Sequence, residues 1–210
     1  MNYKLVVSKY NENIDWLHFF DQSTIVLYDK SDAPIGIPRK NVGRESETFL
    51  AYIIENYHEL PEYVIFVQGN PFEHMKDVRP ENFRSKIEDI LKTNTKDSVP
   101  LLTTLHEEQP DLWPGLHVRS YYKYLFGLDC PEKTYFAAGC QYIVHKESIL
   151  FHSIEKYKKL YDMVCSSSVT TCSDAITINS LSDFSEKTMS AWTFERFGYY
   201  LFSRMTLLEN

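Results

Sequence analysis

Val64-Ile65-Phe66-Val67-Gln68-Gly69-Asn70-Pro71-Phe72-Glu73-His74 decides the fold class. The run of Val, Ile and Phe is led in by Pro61-Glu62 and stopped by Gly-Asn-Pro. That is the pattern of a central strand covered on both faces. Gln, Asn, Glu and His then fall just past its carboxyl end. In an open α/β sheet that edge is where ligands bind.

Working outward, other strand and helix signals alternate around this one. Leu5-Val6-Val7 reads as a first strand, followed by the polar stretch Ser8 to Asn13. Ile14, Trp16, Leu17, Phe19 and Phe20 then sit at helical spacing. Thr24 to Tyr28 reads as a second strand stopped by Asp29, and residues 31–43 as an irregular loop. Phe49, Leu50, Ile53, Ile54 and Tyr57 form the stripe of a helix entered through Asn41-Val42-Gly43-Arg44. Pro80-Glu81-Asn82 starts a helix with Phe83, Ile87, Ile90 and Leu91 inward. Leu101 to Leu105 reads as a short strand and Tyr121 to Phe126 as a short helix. Tyr135 to His145 reads as one strand with small residues at its start. A helix follows from Lys146 to Val164, and a last one over about 185–205 carries Trp192, Phe194, Phe197, Tyr200, Leu201 and Met205. Residues 165–174, rich in Ser, Thr and Cys, read as a lid-like loop. The expected class is α/β, with a mostly parallel mixed sheet flanked by helices.

The totals agree with a folded chain. Its 210 residues fit one unit, 1–210, read as two halves, 1–95 and 96–210. Hydrophobic residues are 43%, enough for a core. A net charge of −7 argues against general nucleic-acid binding. No run reaches the roughly 20 apolar residues of a membrane span. The N-terminus lacks a secretory apolar region, and Cys130, Cys140, Cys165 and Cys172 form no CxxC pair. These point to reduced thiols and a cytoplasmic location.

Several polar residues carry two readings. Tyr10 packs on the next helix or stacks on a ligand. Asp29 is a turn residue or accepts from a ribose or base. Arg44 pairs with a neighbouring Glu, or clamps an anion together with the helix N-terminus. Glu73, His74 and Asp77 hold Mn²⁺ or Mg²⁺ beside a diphosphate, or His74 caps a turn and Asp77 is solvated. Glu195-Arg196 is an internal ion pair, or Glu195 is a cleft carboxylate acting on an acceptor.

Together these stretches resemble the GT-A glycosyltransferase fold, a Rossmann-like architecture, over nearly the whole chain. Four segments carry the resemblance: Val6 to Glu12, Asn41 to Arg44, Phe66 to Asn70, and Phe136-Ala137-Ala138-Gly139-Cys140-Gln141-Tyr142. Their wording also resembles a family known only as a domain of unknown function, with the pattern YNE…W…NVGRE…FLQG…CGAQF. More narrowly, they look like the N-terminal domains of chlorella-virus glycosyltransferases that build capsid glycans. That resemblance implies a UDP-sugar donor, a glycan or glycoprotein acceptor, a divalent metal, and for a viral chain the host cytoplasm. It implies nucleotide binding by Ser8, Tyr10, Asp29, Arg44 and Gln68, with Tyr10 on uracil and Asp29 on base or ribose. Gln68 to Asn70 would occupy the place of the usual Asp-x-Asp. Neither carboxylate is present there, so a metal would use Asn70 or recruit Glu73, His74 or Asp77 from the following loop, and a metal-independent variant is the alternative. Candidates for acceptor-side chemistry are His145, Asp183 and Glu195. Two rival enzymes share the same corner, a nucleotidyltransferase and a nucleotide-sugar hydrolase. The rival without catalysis is a sugar-nucleotide or glycan-binding module.

Overall fold

The structure is a computed structural model, and it describes residues 2–75, 77–96, 99–101, 105–167 and 184–203. The stretch from Val64 lies in strand β4, Tyr63–Gln68, in which all six residues are buried. β4 is flanked by β1, Tyr3–Lys9, and by β8, Tyr142–His145. The full order is β3-β2-β1-β4-β8-β5, where β2 is Ile25–Asp29, β3 is Ile37–Pro38 and β5 is Val99–Pro100. β1 pairs in parallel with β2 and with β4, and β2 with β3. β8 runs antiparallel to both β4 and β5. The sheet is therefore mostly parallel and mixed, as expected from the buried apolar runs. β6, His106–Glu108, and β7, Thr134–Phe136, form a separate antiparallel pair.

From β1 the chain moves outward to β2, then doubles back through helix α1, Arg44–Asn56, to β4 on the other side of β1. Right-handed crossovers in opposite directions put their connections on opposite faces. α1 packs against β1 and helix α5, Ile154–Cys165. The other connection is the 3-10 turn Asp15–Phe19, which packs against helix α2, Pro80–Lys92. Trp16, Phe20, Phe72 and Phe83 meet edge to face there, with centroids 5.5–5.8 Å apart. On the α1 side, the Phe66 ring lies 4.9 Å from Phe49 and 5.8 Å from Phe202.

Three expected elements come out divided and a fourth comes out short. The run read as helical from Ile14 is only the short 3-10 turn. The strand read over Tyr135 to His145 is two strands from different sheets. Gly139 (φ 69°) and Cys140 (φ 52°) are left-handed, and they turn the chain between β7 and β8. The helix read from Lys146 stops at Leu150, as α4, and restarts as α5 after Ser153, whose hydroxyl accepts from the Lys156 N–H. The closing helix is α6, Ala191–Glu195, capped by Ser190, and then α7, Gly198–Phe202. Of the strand read over Leu101 to Leu105, residues 102–104 lie outside the described residues, and His106–Glu108, which follow it, form β6. Helix α3, Val118–Phe126, contains the expected Tyr121–Phe126 helix. The Ser- and Thr-rich stretch lies outside the described residues from Ser168 onward, as does Asp183.

Candidate functional site

Where the connection leaving β1 and the connection leaving β4 turn away in opposite directions, an α/β sheet opens a crevice at its carboxyl edge. Here a cleft of about 320 Å³ opens at that point. It is lined by Ser8 and Lys9 at the end of β1 and Tyr10 and Glu12 after it, by Gln68 at the end of β4 and Asn70 and Glu73 after it, and by Lys30, Asn41, Arg44 and Glu45. A second lobe of about 460 Å³ shares Arg44, Glu45, Gln68 and Glu73 with the first. Its remaining wall includes His74, His106, Phe136, Trp192, Glu195 and Arg196.

The turns that build the first lobe are tied together. Trp16 Nε1 donates to the Gly69 carbonyl at 2.8 Å, joining the segments after β1 and β4. Glu12 Oε2 accepts from the Tyr10 N–H at 2.6 Å and closes that turn. Tyr10 is exposed at 42%, so its ring faces outward rather than into the core. The Ser8 hydroxyl donates to Thr48 Oγ1 at 2.9 Å. Lys30 is buried, with Nζ 2.8 Å from Glu47 Oε2 and 2.8 Å from the Val42 carbonyl. Burial lowers its pKa against the pull of Glu47.

α1 opens on Gly43 (φ 59°) and Arg44 (φ 50°), both left-handed, with no side-chain cap. That turn aims Arg44 across the cleft. Its guanidinium lies 4.7 Å from the Trp192 ring centre, and its Nε is 3.4 Å from Glu45 Oε2. Opposite it, the Glu195 carboxyl is buried. One oxygen accepts from the Gly139 N–H, and the other lies 2.9 Å from Arg196. Burial pushes this carboxyl up to about 7. Arg196 pulls it down, Glu45 adds to the rise, and the Gly139 N–H and Arg44 oppose it.

The expected residues divide clearly. Ser8, Tyr10, Arg44, Gln68, Asn70 and Glu73 line the first lobe, and His74 and Glu195 line the second. Asp29 is fully buried and lines neither. Its carboxylate is occupied by the Ser31 N–H (2.9 Å), the Ile35 N–H (3.1 Å) and Lys9 Nζ (3.1 Å). Burial alone would raise its pKa, yet these donors hold it down to about 2. Asp29 therefore ties the loop after β2, and a ribose or base would have to displace those donors. His145 is also removed from the cleft. It pairs with Tyr63, at the opposite end of β4 from Gln68, because β8 runs antiparallel. Its Nδ1 accepts from the Glu147 N–H at 3.2 Å, capping α4. Asp77 is exposed and lines neither lobe.

Among the described residues, no three His, Cys, Asp or Glu side chains converge as a metal site. The sequence reading missed Lys30, Glu45 and Arg196 as parts of the cleft wall, and Glu108 as the buried partner of Arg196 behind it. Glu45 stands beside Arg44 in the first turn of α1, where its acidity reads as a helix-dipole contact, and nothing local marks it as buried.

Residues 5–99 match the model of a family described as "Protein of unknown function (DUF3431)". The match is to just under half of the chain. It spans β1 to β5, and so the strands and turns of the first lobe. No curated protein matches the chain, and no solved structure matches it. Among the described residues, no helix is long and apolar enough to cross a membrane.

Proposed function

We propose that the chain is a GT-A-type glycosyltransferase that binds a UDP-sugar in the first lobe and a glycan hydroxyl in the second. One observation carries this reading: the buried Glu195 carboxyl, poised near neutrality, shares a cleft at the sheet's carboxyl edge with the Arg44 guanidinium. Arg44 and the uncapped N-terminus of α1 would meet the negative charge of the diphosphate. The exposed Tyr10 ring, at the far end of the first lobe, suits a planar base. In the ionised form Glu195 would take the proton of the acceptor hydroxyl. The acceptor oxygen would bond to the anomeric carbon as the bond from that carbon to the diphosphate oxygen breaks, and the electron pair would leave with UDP. A base on the face opposite the leaving group corresponds to inversion.

A divalent ion would be held by Asn70, Glu73 or His74 together with the diphosphate oxygens, whose charge it would offset. The missing Asp-x-Asp at Gln68 to Asn70 favours a second reading, a sugar-nucleotide-binding module without catalysis.

The test is ligand-induced stabilisation followed by turnover. UDP, with Mn²⁺ present or absent, is expected to raise the melting temperature, whereas CMP and GDP are not. Release of UDP from a UDP-sugar is expected to fall about 100-fold or more in Glu195→Gln, with UDP binding retained. Stabilisation without turnover supports the binding module. No stabilisation by any nucleotide overturns both readings.

A further inference from the structure

Arg196 is not simply the partner of its neighbour Glu195. Its guanidinium holds two carboxylates at once. Nε lies 2.8 Å from Glu108 Oε1 and Nη2 3.3 Å from Glu108 Oε2, a two-pronged grip. Nη1 lies 2.9 Å from Glu195 Oε2 and also donates to the Trp192 carbonyl at 3.1 Å. The plane rests over the Phe136 ring, 4.2 Å from its centre. Glu108 and Phe136 belong to β6 and β7. The small β6–β7 pair is thereby fastened to α6 through the one side chain that also grips Glu195. Glu108, Glu195 and Arg196 are all at most 9% exposed as side chains, so bulk water screens these contacts little.

We propose that Glu108 is a positioning residue for Glu195, acting through Arg196, so that docking of the β6–β7 pair fixes where the Glu195 carboxylate points and how strongly Arg196 attracts it. The inference rests on the assignment of Glu195 as the acting carboxylate, but its geometry does not depend on turnover. Two negative partners share one guanidinium, and what Glu108 takes, Glu195 loses. The other groups facing Glu195 are Arg44 and Glu45 from α1, Cys140 and the Gly139 N–H from the turn before β8, and Tyr142 from β8.

The two substitutions have opposite signs. Glu108→Gln removes a competing charge and leaves Arg196 to Glu195, so the Glu195 ionisation moves down. Arg196→Gln removes the attraction, so it moves up by about one pH unit or more. A merely structural role would cost stability in both variants without opposite displacements. The experiment is a ¹³C NMR titration of the full chain labelled at the Glu carboxyl carbons, with the Glu195 signal assigned by its loss in Glu195→Gln. Downward movement in Glu108→Gln supports the proposal; no movement or upward movement overturns it. Should Arg196→Gln fail to fold, the Glu108→Gln titration decides alone. A protein with no turnover, and these displacements intact, would refute the transferase reading and leave the positioning role standing.

Discussion

Glu195 ionises near pH 7 in the folded chain, against 4.5 as its ordinary value. Between those values the folded state holds a proton that the unfolded state has released. Stability therefore falls as pH rises through this window and is flat above it. Glu195→Gln has no such proton. The stability of the variant relative to the parent is expected to rise by on the order of 3 kcal/mol from about pH 4 to about pH 8. Urea melts of both proteins across that range measure it, and parallel curves would mean that the carboxyl is not held protonated. At this scale the sequence was partly legible. Ser8, Tyr10, Arg44, Gln68, Asn70 and Glu73 follow strands or open a helix, and position alone brings them to one edge. Asp29 follows a strand equally well, but three donors in its own loop occupy it. Glu108 is concealed because its burial depends on Arg196, far away in sequence, and Glu45 because an acidic residue in a helix's first turn reads the same whether it is exposed or buried.

Elements were legible in type and less so in extent. β1, β2, β4, α1 and α2 follow from apolar runs, a stripe and a helix-starting proline. Where runs were split, the cause is a backbone turn that periodicity does not register. Cys140 takes a left-handed conformation that its residue type does not announce. α1 shows how much one such position carries. A Cβ at Gly43 would lie 2.5 Å from Val164 Cγ1 on α5, at a φ of +59°. Gly43→Ala is expected to lose about 1–3 kcal/mol, from strain and from parting of the α1–α5 seam. Chemical denaturation reads this directly, and a loss too small to detect would mean that the seam yields freely. The same substitution would turn Arg44 away from Trp192 and is expected to weaken UDP binding as well.

For the whole molecule, the decisive relation is the place of β4 between β1 and β8. Residues 5–99 match a family model, yet they lack β8, which pairs with the other edge of β4. A fragment of residues 1–99 would expose that edge, with Val64, Ile65 and Phe66 unpaired along it. It is expected to aggregate or to lack a cooperative melt, as circular dichroism and size-exclusion chromatography would show. A monomeric fragment with a sharp transition would mean that the parallel half folds alone. The reversal of β8 was not legible, since residue patterning carries no strand polarity, and it is why His145 ends at the far edge of the sheet. The reversal has a consequence for how the chain could change. It departs from the sheet at Gln68 and returns at Tyr142 in the adjoining strand, and among the described residues between them only β5 adds a strand to that sheet. Departure and return are thus hydrogen-bonded neighbours, with Phe66 opposite Tyr142. Such an excursion behaves as a cassette. Its part beyond α2 can lengthen, shorten or be exchanged while its two anchor points stay clamped together, altering what the second lobe admits, whereas α2 itself is held by the packing of Phe83 against Trp16 in the segment after β1.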